Sequence, residues 1–459
     1  MRGIAALAVL GLVLAGPGTA ALAAEDLVSA WQAAQQHDAA FAAAQAERQA
    51  GQARERQGRA LFMPQVALSG SLGATSLDRD TRGAQFSAPG FGSANDAQFR
   101  TRINTGAASN LSLVARKPLY NAELEANASQ LGHQAEIAEL QYRLAQQQLM
   151  LRTADAYFGL LLAQETLASI EAQKQAAARA LEVAEESFDA GALPVTDRNE
   201  AQSRYDDLSA RQLVAENDVA LKRSAIADIT GMSAQELRKV DPNADLARYR
   251  VAPLAQWQER AGERNLLLAM QRLGHEIAKD EIAKYRGLVS PSLDLVAQVA
   301  DERMNGGNSF GTTRITSTFG TVGVQLSIPL VTGGMRGARQ DEALALAEKT
   351  RMEGEALRRG VLRDTQAAWL AVSSGLAQTR AQEQALKSAA ARLDATETGQ
   401  EVGARTTLDV VNAQADLYRT RLALVRARQE LLLGRLRLAA SAGELSEADV
   451  REVNAALER

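Results

Sequence analysis

Residues 321–331 read TVGVQLSIPLV, with an apolar side chain at every second position up to Pro329. Alternation with period two is typical of a β-strand that has one apolar face. Similar segments follow Pro64 and Pro291 and precede Pro118. The sequence therefore predicts four strands, near residues 64–77, 104–117, 290–301 and 318–329. Strands of about ten residues with one apolar face can cross an outer membrane, but two hairpins packed on a soluble domain would show the same alternation.

The segments between paired strands have a different composition. Residues Asp78 to Thr101 and Glu302 to Ser317 are rich in Gly, Ser, Asn, Asp and Arg. Polar stretches that contain glycine are typical of exposed connections. We expect both segments to be loops that join the strands of two hairpins.

Long helices follow each pair of strands. Apolar residues recur at steps of three and four, as in Ile137, Leu140 and Leu144, which is the spacing of one helix face. The predicted helices cover residues 121–188, 195–230, 334–400 and 405–440. The first of these would be a rod of roughly 100 Å at 1.5 Å per residue. Alanines fill a second stripe, so each helix can pack closely on more than one side, as in a wall of helices.

The mature chain contains the same order of elements twice. Trp31 and Trp257 each open a helical stretch that leads into the strands, and glycine-containing breaks at 190–192 and 402–404 interrupt the long helices. A repeated order of this kind indicates an internal duplication. The predicted parts are a first repeat at 24–230, an equatorial connector at 231–253, a second repeat at 254–443 and a C-terminal segment at 444–459.

The first residues have the pattern of a secretory signal peptide. Arg2 is followed by an apolar run and by the small-residue site Ala21-Leu22-Ala23, as in exported proteins. We expect residues 1–23 to be removed by cleavage before Ala24. The apolar run is shorter than the roughly 18 residues of a membrane helix, so the sequence predicts an exported chain without a helical anchor, typical of a bacterial envelope.

Composition excludes several classes of function. The 459 residues include no cysteine, which rules out disulfides, thiolate metal sites, cysteine nucleophiles and a lipid anchor on cysteine. Lys and Arg number 51 against 55 Asp and Glu, a net charge of −4, and the absence of a basic stripe argues against nucleic-acid binding. His37, His133 and His275 lie on different predicted helices without ligand spacing. We expect no metal, no cofactor and no enzymatic activity.

Four strands from one chain cannot close a membrane barrel. Such barrels need roughly eight strands at the least, and an open edge in lipid leaves backbone groups unpaired. The chain is therefore expected to oligomerise, and three copies would supply twelve strands. The predicted fold class is mainly α with membrane β: a trimeric 12-stranded β-barrel, four strands per chain, continued by a long α-helical coiled-coil tunnel in the periplasm.

The sequence resembles the TolC-type outer-membrane efflux and secretion channels over essentially the whole mature chain. The resemblance is carried by the duplicated order of helices and strands, by the pair of prolines in each repeat, and by the segments 188–197 and 402–412. It implies a homotrimer in the bacterial outer membrane that extends into the periplasm. Its equatorial belt would be formed by residues 231–253 with Leu445 to Leu457.

The family also implies partners and an entrance. The partners are a periplasmic adaptor (membrane fusion) protein and an inner-membrane ABC or RND transporter. In the family, an arginine in the second glycine-containing turn ties to a Thr-Asp pair after the first turn and holds the entrance shut; the matching residues are Arg405, Thr196 and Asp197. A charge-assisted bond on a partly exposed surface is weak enough for a docking partner to break. Alternatively, all three are ordinary solvated residues near a helix turn, with Asp197 a favourable charge in a first turn.

Two departures from the family pattern affect this entrance. Gln400 stands where the family often carries an aromatic lock residue, so one link is expected to be weaker or missing. The family commonly has two acidic positions in a luminal constriction; here these positions are Asp409 and Asn412, three apart on one helix face. Fewer fixed charges should weaken cation capture.

The expected function is the exit duct of a tripartite envelope export system that serves type I protein secretion. Because the chain has no acylated N-terminal cysteine, the secretion branch is favoured. Small-molecule efflux through the same channel is the alternative. A more distant alternative is a periplasmic coiled-coil protein that acts as a spacer, adaptor or adhesin, although the compact β-rich domain and anchor of an adaptor are not evident.

Overall fold

The computed structural model describes residues 25–286, 290–308 and 311–458. The predicted signal peptide and its cleavage site lie outside the described residues. The helices of the described part are α1 (Leu27–His37), α2 (Ala39–Ala60), α3 (Ala122–Asp189), α4 (Val195–Thr230), α5 (Leu254–Arg264), α6 (Leu266–Tyr285), α7 (Met335–Glu401), α8 (Thr407–Ser441) and α9 (Glu447–Asn454), with a 3₁₀ turn at Leu246–Tyr249. The strands are β1 (Gln65–Ala88), β2 (Gly92–Asn121), β3 (Ser292–Asn308) and β4 (Gly311–Ser327). Among the described residues, none of the helices contains an apolar stretch sufficient to span a bilayer.

Local signals set the ends of the long helices. At the start of α3, the Asn121 side chain accepts hydrogen bonds from the backbone N–H groups of Glu123 (3.0 Å) and Leu124 (3.1 Å), which satisfies donors that have no partner within the helix. Glycines with positive φ follow the ends of α3 and α7, at Gly191 (72°) and Gly403 (76°), a common way for a helix to stop. The observed ends of α3, α4, α7 and α8 lie within two residues of the ranges expected from the sequence.

The strands are longer than expected, which corrects the prediction of two loops. Most of Asp78 to Thr101 and of Glu302 to Ser317 is strand, and the connection from β1 to β2 is confined to residues 89–91. Polar pairs hold the extended part together; for example, Arg102 faces Asp78 across the ladder and binds its carboxylate at 2.9 Å. Opposite charges that face one another stabilise a β-ladder. The polar composition of these two segments therefore does not prevent them from forming strands.

The strands form one antiparallel sheet in the order β1-β2-β3-β4. The pairing of β2 with β3 joins the two sequence repeats, and β1 and β4 are the two edges. In the half of the sheet next to the helices, one face carries exposed apolar side chains, and we call it the apolar face. Its members are Val66, Leu68, Leu72, Leu111, Leu113, Leu295, Val299, Val322, Val324 and Leu326.

The opposite face, which we call the polar face, carries Ser69, Ser112, Arg116, Asp294 and Gln298. Its side chains are more shielded: Asp294 is 3% exposed, whereas Leu72 on the apolar face is 83% exposed. Side chains on the inner side of a curved sheet crowd together, so this difference indicates curvature toward the polar face. Arg116 binds the Asp294 carboxylate at 2.7 Å and links β2 to β3 on this face.

The chain divides into two compact units. One contains the sheet, with residues 47–140 and 269–356; the other contains residues 25–46, 141–268 and 357–458. In the second unit, a large apolar core joins α1, α3, α4 and α8 to the connector and the C-terminal segment.

The connector and both ends of the described chain meet in this second unit. Short β-bridges pair Glu25 with Leu237 and Val240 with Leu457. The buried Tyr157 hydroxyl of α3 donates to the carbonyl oxygen of Glu25 at 3.0 Å and lies 2.8 Å from that of Arg238. The segments expected to form an equatorial belt are therefore brought together around α3.

Candidate channel entrance

Two turns of the same geometry connect α3 to α4 and α7 to α8. In each turn, the glycine N–H donates to the carbonyl three residues before it, at 2.8 Å for Gly191 and 2.9 Å for Gly403. The following N–H donates to the carbonyl five residues before its own, at 2.8 Å in both turns. These bonds satisfy carbonyls at the helix ends and require the left-handed backbone that glycine adopts without strain. The two repeats therefore end their long helices in the same way.

A cavity of about 340 Å³ lies between these two turns. Its apolar wall includes Val183 and Leu193 from the first repeat and Val411 from the second. Two residues of the expected lock, Asp197 and Arg405, both line this cavity. The fold thus brings together two oppositely charged side chains that are far apart in the sequence.

Asp197 and Arg405 share the cavity without an ion pair between them in the described part of a single chain. The Thr196 hydroxyl lies 3.1 Å from Oδ1 of Asp197, which orients that carboxylate. The Arg405 side chain lies over Gly399: a Cβ added at Gly399 would be 2.8 Å from Cγ of Arg405. All three residues of the expected lock are exposed in the single chain.

Asp409 belongs to the first turn of α8 and forms a capping box with Thr406. The Thr406 N–H donates to Oδ2 of Asp409 at 3.0 Å, and the Asp409 N–H donates to Oγ1 of Thr406 at 3.1 Å. The backbone N–H of Thr406, its hydroxyl and the nearby charge of Arg405 lower the pKa of the Asp409 carboxyl. Asn412, the second expected constriction residue, is exposed three positions further along α8.

Gln400 is tied to the start of α8. Its amide Nε2 donates to Oγ1 of Thr407 at 2.9 Å, and its side chain lines the same cavity as Arg405. At this position the chain therefore makes a bond inside its own α7–α8 turn.

The cavity is also lined by two charged residues that were not predicted from the sequence. Glu200 and Arg204 of α4 line it beside Asp197. The spacing of three and seven residues from Asp197 places all three on one helix face, and this spacing could have identified them. Among the described residues, no group of three or more His, Asp and Glu is arranged to hold a metal ion.

Comparison with known proteins identifies the group to which this arrangement belongs. The family described as Outer membrane efflux protein matches residues 30–232 and 257–444. Outer membrane protein TolC of Vibrio cholerae is 29% identical over 442 residues, which cover 96% of each chain. Alkaline protease secretion protein AprF of Pseudomonas aeruginosa is 27% identical over 94% of this chain and 86% of its own length.

Solved structures share the fold. The CmeC outer membrane channel of Campylobacter jejuni superposes with a TM-score of 0.72 at 13% identity, covering 95% of this chain and 90% of that one. The outer membrane protein VceC of Vibrio cholerae has a TM-score of 0.71 at 18% identity, over 91% of this chain and 96% of that one. At such low identity the likeness concerns the fold alone.

Proposed function

This chain belongs to the outer membrane efflux protein family, and from that premise we propose that it is the exit duct of a tripartite envelope export system. The protein lies in the outer membrane, extends into the periplasm and acts in transport rather than catalysis. In the proposal, three copies form a 12-stranded β-barrel continued by a coiled-coil tunnel. An inner-membrane ABC or RND transporter supplies the cargo through a periplasmic adaptor protein.

The two-faced sheet with open edges is the observation that carries this proposal. From Leu293 to Val299, the apolar face of β3 spans about 20 Å at 3.3 Å per residue, which suits the apolar band of an outer-membrane barrel, about 25 Å tall. Beyond this stretch, Arg303 donates to Asp301 at 2.7 Å and the face becomes polar. The apolar face would contact lipid and the polar face would line water.

Oligomerisation would remove both edges of the sheet. In the described sheet, β1 and β4 each have a neighbour on one side only, and unpaired backbone groups in a bilayer are costly. Pairing β4 of one copy with β1 of the next satisfies both edges, and three copies give the twelve strands of a closed barrel.

Exposed apolar residues on two long helices support the same assembly. On α4, Leu213, Val214 and Leu221 are exposed and share one helix face. On α7, Leu344, Leu346, Met352 and Leu370 are also exposed. Such residues would be covered in a tunnel wall made of several copies, because burying apolar surface is favourable.

The entrance residues provide the proposed gate. Arg405 of the second turn would bind the Thr196-Asp197 pair and keep the periplasmic tip closed until a partner docks. The cavity shared by Arg405 and Asp197 supports this role, because it places both groups at one site without an existing bond. Asp409 and Asn412 would form the luminal constriction behind the turns.

Type I protein secretion is the proposed use of the duct. The names of two relatives refer to protease secretion: AprF, at 27% identity, and the Proteases secretion protein PrtF of Dickeya chrysanthemi, at 28% identity. Efflux of small molecules is the alternative, since another relative at 23% identity is named Outer membrane efflux protein BepC.

The assembly is tested by native mass measurement and planar-bilayer recording of the detergent-purified protein. We expect a trimer that is stable until heated and that inserts as one conducting channel. A stable monomer in outer-membrane fractions would overturn the architecture.

The cargo is tested in a strain that lacks the gene. For type I secretion, we expect a protein to disappear from the culture medium while susceptibility to small toxic molecules stays unchanged, and an ABC transporter and adaptor to be encoded nearby. Increased susceptibility with an unchanged set of secreted proteins would assign the duct to small-molecule efflux instead.

A further inference from the structure

The β1–β2 hairpin extends well beyond the rest of the sheet. β2 pairs with β3 only as far as Thr105, which faces Gly307. Beyond this point, residues 76–104 continue as a two-stranded ribbon, paired from Leu77 with Ile103 up to Ala88 with Gly92. In the described pairing, this ribbon has no third strand on either side.

A close approach of β2 to β3 indicates a sharp bend of the sheet where the ribbon begins. Gly106 of β2 faces Gly306 of β3. A Cβ added at Gly306 would lie only 2.8 Å from Cα of Gly106 and 2.9 Å from the carbonyl oxygen of Thr105. A Cβ added at Gly106 would lie only 2.5 Å from the carbonyl oxygen of Asn305. Only residues without a side chain permit backbones to approach this closely.

The direction of the bend follows from the register of the strands. Gly106 and Gly306 fall on the same side of their strands as Ser112 and Asp294, which is the polar face. Side chains at these two positions would lie on the polar face. Because glycine has none, the strands can bend toward that face.

The Ile103 side chain packs inside this bend. Its side chain is 0% exposed, and its Cγ2 lies where a Cβ of either glycine would point. A β-bulge lies beside it: the two residues of β2 between Ile103 and Gly106 face a single residue of β1 between Thr75 and Leu77. Bulges of this kind bend strands. Ile103 thus holds the ribbon in its bent position over the polar face.

The ribbon has its own stabilising contacts. Arg100 and Arg102 both bind Asp78, at 2.7 and 2.9 Å, and the rings of Phe86 and Phe99 are 5.8 Å apart. An isolated two-stranded hairpin is marginally stable in water. These cross-strand contacts therefore maintain the ribbon as a defined element rather than a loose loop.

We propose that residues 76–104 form a flap that bends over the polar face at the end of the sheet away from the helices and narrows the outer opening of the duct. The Gly106–Gly306 pair is the hinge, and Ile103 is the apolar contact that keeps the flap folded. The proposal rests on the proposed function, since only an assembled duct has an opening for the flap to narrow.

The first test replaces residues 80–100 with a two-residue Asn-Gly turn between the paired residues Arg79 and Thr101. Single-channel conductance is measured in planar bilayers in the Arg405→Ala background, so that the proposed entrance lock does not limit the current. In this background we expect shortening of the ribbon to raise conductance by roughly twofold or more, because a wider outer opening carries more ions once the entrance is open. Gly306→Ala should raise conductance in the same direction, since its Cβ cannot fit in the fold. Gly323→Ala is the matched control and should leave conductance unchanged. Gly323 of β4 also lies on the polar face, but an added Cβ there would have nothing within 4 Å.

The second test uses the absence of native cysteine. Gln298→Cys introduces a single thiol on the polar face below the fold, and a bulky maleimide is added from outside intact cells. Labelling should become several-fold faster when the ribbon is shortened. If the shortened protein inserts as a trimer but conducts and labels like the parent, the flap proposal is wrong. If the parent protein forms neither trimer nor channel, the proposed function itself fails.

Discussion

At the scale of single residues, Asp409 combines an observed capping bond with a proposed luminal charge. Its carboxylate accepts a hydrogen bond from the Thr406 N–H in the cap of α8, and its lowered pKa keeps it charged at neutral pH. A capping carboxylate in the first turn also interacts favourably with the helix dipole. In a trimer, three copies of this charge would lie near the entrance turns.

We predict that Asp409→Ala abolishes most of the channel block by divalent and trivalent cations added from the periplasmic side. Asn412→Asp should tighten the block, because further carboxylates deepen the negative potential in a narrow pore. Raising ionic strength should weaken the block in the parent channel. Single-channel currents during a cation titration provide the measurement.

Thr406→Ala is the control for the cap. It removes the hydroxyl that accepts the Asp409 N–H but leaves the carboxylate, so the block should persist. Block that is undiminished in Asp409→Ala would mean that the luminal charge lies elsewhere and that this helix face has been misassigned.

A second prediction concerns the lock. Arg405→Ala and Asp197→Ala should each raise single-channel conductance while the trimer remains intact, because either change removes one half of the charge pair that would close the entrance. Glu401→Ala, at an exposed acidic residue next to Gln400, is the control and should leave conductance unchanged. Parent-like conductance in both lock variants would remove Arg405 and Asp197 from the gate.

At the scale of elements, the junction of α1 with α2 shows how a buried charge fixes a helix start. The Asp38 side chain accepts hydrogen bonds from the Phe41 N–H at 2.7 Å and from Arg152 of α3 at 2.9 Å. Burial raises the pKa of Asp38, but the Arg152 hydrogen bond, the Phe41 N–H and the Arg152 charge outweigh it, so the pKa is lowered. The ionised carboxylate thus ties α1 and α2 to α3.

This linkage predicts a dependence of stability on pH. A carboxyl group whose pKa is lower in the folded state stabilises the fold at pH values above its unfolded pKa, here 3.8, and loses this contribution as the pH falls through the folded value. Asp38→Asn should cost about 2 kcal/mol at neutral pH, as expected for lost hydrogen bonds to a charged group. The cost should shrink toward acid pH.

Thermal unfolding of the parent and Asp38→Asn in detergent, followed by circular dichroism across the acid range, measures this dependence. Asp245→Asn offers a comparison at an exposed carboxylate that caps only the short 3₁₀ turn and should have a much smaller effect. An equal loss at all pH values would show that Asp38 stabilises the junction without its charge.

At the scale of the whole molecule, the described single chain leaves apolar surface and two strand edges exposed, which the proposed assembly would cover. The exposed stripe of α4, formed by Leu213, Val214 and Leu221, is one such surface. The stripe does not face the core of its own chain, since the buried residues of α4 are Leu208, Ala215, Val219, Ile226 and Thr230.

We predict that Leu221→Glu weakens the trimer, because a charge placed in an apolar contact between copies is desolvated without a partner. Native mass measurement in detergent should show more monomer, and the heat-resistant trimer band should dissociate at a lower temperature. Arg223→Glu introduces the same side chain at an exposed position of α4 off the stripe and should leave the trimer as stable as the parent. A parent-like trimer in Leu221→Glu would place the contact on another surface.

Much of the fold could be predicted from the sequence because its signals are local. Helix periodicity depends on residues three and four apart, and the turn glycines Gly191 and Gly403 act on the backbone within a few residues. The period of two around residues 321–331 likewise identifies an apolar strand face without knowledge of its neighbours. The repeated order of these signals was therefore visible along the chain, as were the two entrance turns.

The tertiary structure alone decided where the strands end and which side chains meet. Asp78 and Arg100 were expected in a loop, but they lie on paired strands and form an ion pair. The close approach of Gly106 to Gly306 joins strands from different repeats. The shared cavity of Asp197 and Arg405 also depends on how the two turns are placed. Contacts between segments far apart in the chain arise from packing and backbone pairing, and a local pattern contains no information about which partner a residue will face.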